Sequence, residues 1–250
     1  MLTHKNLVFD AIATTEFVDI NENDRMLSQL PLAHTMECTL GLITPVMVGA
    51  SVFYLEKPPT AAVLLPALKK VKPTIMISVP LIIEKIYKMK ILPEINKKTL
   101  SRNLYKLPLL RKKINAVAGK KLKETFGGSL RMFCIGGAAL ASDVEKFLVE
   151  AKFPYAVGYG LTETAPLVTG TDNFNVRFGA SGKVLYGMEV KIVDADETTG
   201  EGEVFIKGPN VMQGYYKDPD KTKEVLTEDG WFKSGDLGYL DKDGYLFLKG

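Results

Sequence analysis

Residues 158–164 read Gly-Tyr-Gly-Leu-Thr-Glu-Thr, two glycines around a tyrosine and then a hydroxyl beside a carboxylate. These residue types suit a nucleotide. A tyrosine ring offers a stacking face, and a threonine hydroxyl can bind a phosphate oxygen. A glutamate is the hard oxygen ligand that Mg2+ accepts alongside phosphates. A polar turn at a strand end is the plainer reading of the same residues. Three further stretches carry weaker signals. In Gly136–Leu140, GGAAL, glycines let backbone approach a flat ligand or a phosphate, and close packing of a strand–helix turn explains them equally well. Gly202–Pro219, GEVFIKGPNVMQGYYKDP, taken alone is a hairpin with ordinary turns. In Gly230–Gly250 a Ser-Gly-Asp turn holds Asp236, a residue type that pairs with ribose hydroxyls in other nucleotide folds. An isolated Ser-Gly-Asp is usually just a turn.

These stretches must be held by the elements around them. A helical stretch ends near Val48, and SVFYL then reads as a strand. A helix follows through Ala61–Val71, then the strand Thr74–Val79, then a helix opened by Pro80, whose missing N–H is harmless in a first turn. Cys38–Leu55 is an uncharged run near the lower limit for a membrane span, but Gly41, Pro45 and Gly49 interrupt it. A buried helix followed by a buried strand is expected there. Residues 92–124 are lysine-rich with Leu and Ile at helical spacing and read as one or two surface helices. Arg131–Gly137 is a strand running into glycines. Ser142–Ala151 is a helix with Ser142 as N-cap and Glu145 completing a capping box, and YAVGYG is a short strand after it. Continuous apolar strands alternating with helices predict a parallel, doubly wound α/β sheet over residues 1–178. After Gly179 turn signals become dense and strands short, which predicts a β-rich, barrel-like subdomain over 179–250.

The 250 residues carry a net charge of only +3, so whole-chain charge points to no nucleic acid. Charge is uneven locally, because basic residues far outnumber acidic ones between Lys85 and Lys123. That stretch reads either as a solvated helical face or as a surface drawn peripherally to anionic lipid or to a polyanionic substrate. Cys38 and Cys134 lie far apart with no CxxC and no Cys/His cluster, so no structural zinc is expected. Reduced, buried cysteines and an N-terminus without an apolar signal core fit a cytoplasmic protein.

Order and spacing together are more specific than any one stretch. YGLTET, then GEVFIKGPNVMQGYY, then W-F-K-S-G-D-L-G resembles the core motif series of the adenylate-forming superfamily, which includes acyl-CoA synthetases, luciferases and adenylation domains. QLPLAH (Gln29–His34) fits its upstream histidine motif, and SVPLIIEKIY (Ser78–Tyr87) looks most like its long-chain fatty acid–CoA ligase branch. The resemblance covers essentially the whole chain. It implies that Tyr159, flanked by Gly158 and Gly160, lies against the adenine of ATP or AMP, with the Gly137–Ala138 backbone on the other side. It implies Thr162 on the α-phosphate, Glu163 on Mg2+, Asp236 on the ribose hydroxyls, and His34 near the acyl tunnel and reaction centre. The implied reaction joins a fatty acid to ATP as an acyl-adenylate, which the thiol of coenzyme A then converts to acyl-CoA. The family's Ser/Thr/Gly-rich phosphate loop would lie just before a segment like MLTHKNL, and its lysine-bearing C-terminal domain after LKG. The chain is therefore expected to be the middle of a protein roughly twice its length, an incomplete adenylate-forming large domain. Open sheet edges and apolar faces would then leave it poorly stable or aggregation-prone. A non-catalytic remnant, and an adenylate-former acting on a different carboxylic acid, remain alternatives.

Overall fold

Buried apolar runs become the centre of a sheet, and the helices between them cover its faces. The computed structural model describes residues 1–97 and 99–249. The first half holds α1 (His4–Phe17), β1 (Arg25–Ser28), a π-helical segment (Met36–Ile43) running into α2 (Thr44–Met47), β2 (Ser51–Tyr54), α3 (Ala61–Val71) and β3 (Ile75–Ser78). Next come α4 (Pro80–Ile86), a π-helical turn (Tyr87–Ile91), α5 (Leu92–Asn96), α6 (Thr99–Tyr105), α7 (Pro108–Thr125), β4 (Met132–Ile135), α8 (Ser142–Glu150) and β5 (Tyr155–Gly160). A 3-10 turn (Thr162–Thr164), β6 (Leu167–Gly170), β7 (Gly182–Val184), β8 (Glu189–Val193), β9 (Gly202–Lys207), α9 (Pro219–Val225), β10 (Phe232–Leu240) and β11 (Tyr245–Leu248) complete it.

The strands form one eleven-stranded ladder, ordered β2-β1-β3-β4-β5-β6-β7-β11-β10-β9-β8. From β2 to β5 every pairing is parallel, and from β5 onward every pairing is antiparallel. The doubly wound reading holds for the parallel part. The β-rich part is antiparallel, as its turns imply, and it continues the same ladder instead of standing beside it. The change of sense falls between β5 and β6.

Alternation along the central strands sorts side chains to two faces. Met76 of β3, with Phe133 and Ile135 of β4, packs with Leu68 of α3, Phe126 just past the end of α7, and Phe147 and Leu148 of α8. Ile75, Ile77, Met132 and Cys134 point to the other face, where Met26 and Met36 join them. Each fully buried Phe or Leu contributes about 1.5–3 kcal/mol. A third cluster holds the antiparallel strands against α1, with Ala13, Val168, Leu185, Val204, Ile206 and Leu246 at its centre.

Several local expectations change. β2 is not buried: it is the edge of the sheet, pairs only with β1, and leaves Phe53 and Tyr54 exposed. Among the described residues the lysine-rich stretch forms three helices, α5 to α7, in place of one or two. The N-cap of α8 is Ala141, not Ser142, and no side chain of the helix caps it. The Glu84 carboxylate on α4 accepts the Ala141 N–H at 3.1 Å instead. Glu145 faces inward, accepting from the Tyr155 hydroxyl at 3.2 Å and the Gly179 N–H at 3.0 Å. Burial raises its carboxyl above the usual range. Both cysteines are free and half-buried. Among the described residues no helix is long and apolar enough to cross a membrane.

Candidate nucleotide site

β5 positions most of the expected groups, because it is the strand that pairs parallel to β4 on one side and antiparallel to β6 on the other. Its two glycines answer first to that hairpin. A Cβ at Gly160 would lie 1.6 Å from the Pro166 carbonyl oxygen, and one at Gly158 would lie 2.7 Å from the Leu167 side chain. The pairing slips by a bulge between Tyr159 and Gly160, a device that re-aims side chains at the end of a strand. Beyond it the 3-10 turn closes on Thr164, whose buried hydroxyl accepts the Leu161 N–H at 3.0 Å and lies 2.8 Å from the Pro166 carbonyl. The turn is braced from below: the Thr39 hydroxyl of the π-helical segment donates to the Ala165 carbonyl at 2.8 Å. Thr162 is left exposed at the tip and Glu163 half-buried beside it.

The turn, β5 and the β4 end line a cavity of about 360 Å3, within the usual range for small-ligand sites. Gly137, Gly158, Tyr159, Gly160, Thr162, Glu163 and His34 all contribute to its wall. Gly137 adopts a φ of +81, which lets the chain turn sharply out of β4. His34 accepts the Met36 N–H through Nδ1 at 3.2 Å, so the ring proton of the neutral form sits on Nε2. Two expected residues stand off the cavity. Ala138 is exposed just past Gly137, and Asp236 reaches the site only through Tyr159. The Tyr159 hydroxyl donates to Asp236 Oδ2 at 2.6 Å, and burial together with that carboxylate pushes the phenol up. The rest of the wall is mostly apolar, with Phe17, Met26, Leu40, Ile75, Ile77 and Ala156, and it also holds Thr14, Thr35, Thr44 and Thr171. Cys134 lies there too, and burial pushes its thiol to about 12.

Two groups were not singled out from the sequence. Tyr215 donates its hydroxyl to Glu163 Oε1 at 2.9 Å, and burial and that carboxylate raise its own phenol. It stands in the quoted QGYYKDP, but nothing in the chain pairs it with a residue 52 positions away. Asp10 of α1 is fully buried behind β6, where Oδ2 accepts the Leu167 N–H at 3.1 Å and burial lifts the carboxyl to about 8. Asn210 donates to the Leu167 carbonyl at 2.8 Å, and Asp10 Oδ1 and Asn210 Oδ1 have no partner among the described residues.

A metal ion must fit these donors. Among the described residues no three His, Cys, Asp or Glu side chains gather into a cage, and Glu163 is the one carboxylate on the cavity wall. That suits Mg2+, which is held by one or two carboxylates and completes its shell with water and substrate phosphates.

The family profile described as AMP-binding enzyme matches residues 1–216. The chain belongs to the AMP-binding enzyme family. Among curated members of that family it is 33% identical to fatty acyl-CoA synthetase B of Dictyostelium discoideum, over 99% of this chain and 40% of that protein. It is 32% identical to long-chain-fatty-acid–CoA ligase 1 of Saccharomyces cerevisiae, over 98% and 38% respectively. A solved AMP-binding enzyme, o-succinylbenzoate coenzyme A synthetase of Bacillus subtilis in complex with ATP and magnesium ion, superposes with a TM-score of 0.74 at 25% identity. The match covers 99% of this chain and 46% of that one. The chain thus spans about 40% of the length of the curated relatives it matches.

Proposed function

We propose that this chain forms the acyl-adenylate side of a long-chain fatty acid–CoA ligase. Such an enzyme uses ATP, Mg2+, a fatty acid and coenzyme A in the cytoplasm. The observation that carries the reading is one cavity with a polar rim of Tyr159, Thr162, Glu163 and His34 and an apolar wall behind it. Nucleotide and hydrocarbon need these two chemistries side by side.

The residues divide the work. Tyr159 stacks on adenine, and the Gly137–Ala138 backbone closes on the opposite face of the ring. Asp236 holds a ribose hydroxyl through Oδ1, because Oδ2 is taken by Tyr159. Thr162 donates its hydroxyl to the α-phosphate as the fatty acid carboxylate attacks phosphorus and pyrophosphate leaves. A preorganised donor aimed at developing charge is worth most in a water-poor site. Tyr215 fixes Glu163 Oε1 and leaves Oε2 for Mg2+. When bound, Mg2+ neutralises charge on the phosphates. The thiol of coenzyme A then attacks the acyl carbonyl and AMP departs. His34 stands at the rim where acyl group and phosphate meet.

Calorimetric titration of the chain with AMP tests the site. Base–aromatic stacking is worth about 1–3 kcal/mol, so Tyr159→Ala should weaken AMP by about fivefold to a hundredfold. Equal AMP affinity in wild type and Tyr159→Ala would sink the reading. Acid-dependent pyrophosphate exchange, over acids of several lengths, separates a long-chain substrate from other acids.

A further inference from the structure

One segment of the chain serves both halves of the cavity. The π-helical segment Met36–Ile43 contributes Met36 and Leu40 to the apolar wall. Between them stands Thr39, fully buried, whose hydroxyl donates to the Ala165 carbonyl at 2.8 Å, 126 residues along the chain. The Thr39 carbonyl in turn accepts the hydroxyl of Thr44 at 2.9 Å, and Thr44 is buried as well. π-helical turns are rare and gather at functional sites.

Ala165 closes the 3-10 turn that carries Thr162 and Glu163. Its N–H reaches back to the Thr162 carbonyl at 3.3 Å. It adopts a φ of +65, in the left-handed region that residues other than glycine rarely enter. Backbone strained in this way keeps its conformation only where its surroundings fix it. From outside the hairpin, the Met212 N–H donates to the Glu163 carbonyl at 2.7 Å and Thr39 holds Ala165. The second of these bonds comes from the segment that also forms the apolar wall. Ala165 is fully buried, so its carbonyl depends on a protein donor. A threonine that merely filled space here would be equalled by valine.

We propose that Thr39 is a positioning residue. It fixes the turn of Thr162 and Glu163 at a set distance from the apolar wall, so that a carboxylate whose chain lies on the wall meets phosphorus held at the turn. Attack depends on spacing at the scale of an ångström. The inference rests on the ligase reading above for the role of Thr162. Calorimetry with AMP and with adenosine tests it, since the two differ only in the phosphate. Wild type should bind AMP about tenfold or more tighter than adenosine, as expected of hydrogen bonding to a charged group. Thr39→Val keeps the shape and removes the donor. Its preference for AMP should fall about fivefold or more, while adenosine binds as it does to wild type. Thr39→Ser restores the hydroxyl and should restore the preference. Thr39→Ala removes the same hydroxyl with less bulk and should lower the preference likewise, which keeps the test decisive where the valine variant does not fold. Full AMP preference in the hydroxyl-less variants overturns the proposal. So does an equal loss for AMP and adenosine, the mark of a general loosening of the fold. Wild type binding AMP no better than adenosine sinks the phosphate role of Thr162 itself, and this inference with it. The first two results leave the ligase reading standing, so the failures are distinguishable.

Discussion

Asp10 has no water in which to ionise. Its Oδ2 is committed to the Leu167 N–H, and its Oδ1 has no partner among the described residues. A proton on the carboxyl removes an unpaired buried charge, and burial supports that state by raising the carboxyl from 3.8 to about 8. The folded chain then holds a proton that the unfolded chain releases above 3.8. The stability this group contributes is full below 3.8 and is lost as pH rises through about 8, at about 1 kcal/mol per pH unit. Asp10→Asn keeps a donor and an acceptor without the titration. Its Tm should fall less between pH 5 and pH 8 than that of wild type, and parallel Tm curves would contradict the assignment. The sequence hid this group, since an aspartate within a helix reads as solvated. It showed Tyr159, Thr162 and Glu163 because their types and spacing carry chemistry without any partner. It hid the grip of Tyr215 on Glu163, which exists only once β5 and the segment after β9 meet.

The β5–β6 hairpin is the element on which the site depends. Gly160→Ala places a Cβ inside the Pro166 carbonyl, and backbone on both sides prevents relief. It should cost at least about 3 kcal/mol, read as a drop in the urea midpoint. A loss of less than about 1 kcal/mol would show that the hairpin yields. Gly158 and Gly160 are thus required by strand packing, and a candidate site and a tight hairpin use the same residues. β3, β4 and β5 were legible because each is an apolar run between turn signals. The place of β2 was not, because an apolar run does not state how many neighbours it has. The α8 cap was misread for a similar reason: Glu84, which serves it, lies 57 residues upstream.

At the scale of the molecule the two sheet edges differ. β8 alternates Glu189 and Lys191 with valine and isoleucine, a charged edge that resists pairing, whereas β2 presents Phe53 and Tyr54 to solvent. The expected tendency to aggregate therefore belongs at β2. Phe53→Lys should raise the temperature at which light scattering begins, and an unchanged onset would place the fault elsewhere. The parallel and antiparallel halves were each readable from their own grammar. Their union in one ladder was not, because it is made by a single strand with both kinds of neighbour.

That ladder also has a shape, and one bond measures it. Between β5 and β10 lie β6, β7 and β11, so the two strands would stand about 19 Å apart on a flat sheet. Yet the Tyr159 hydroxyl reaches Asp236 at 2.6 Å. The antiparallel strands must curl until β10 comes back over β5, and flattening by even a few ångströms parts the phenol from the carboxylate. Tyr159 is in this sense a gauge of curvature: its ultraviolet absorption reports whether its phenol and Asp236 share one concave wall or stand on two separated strands.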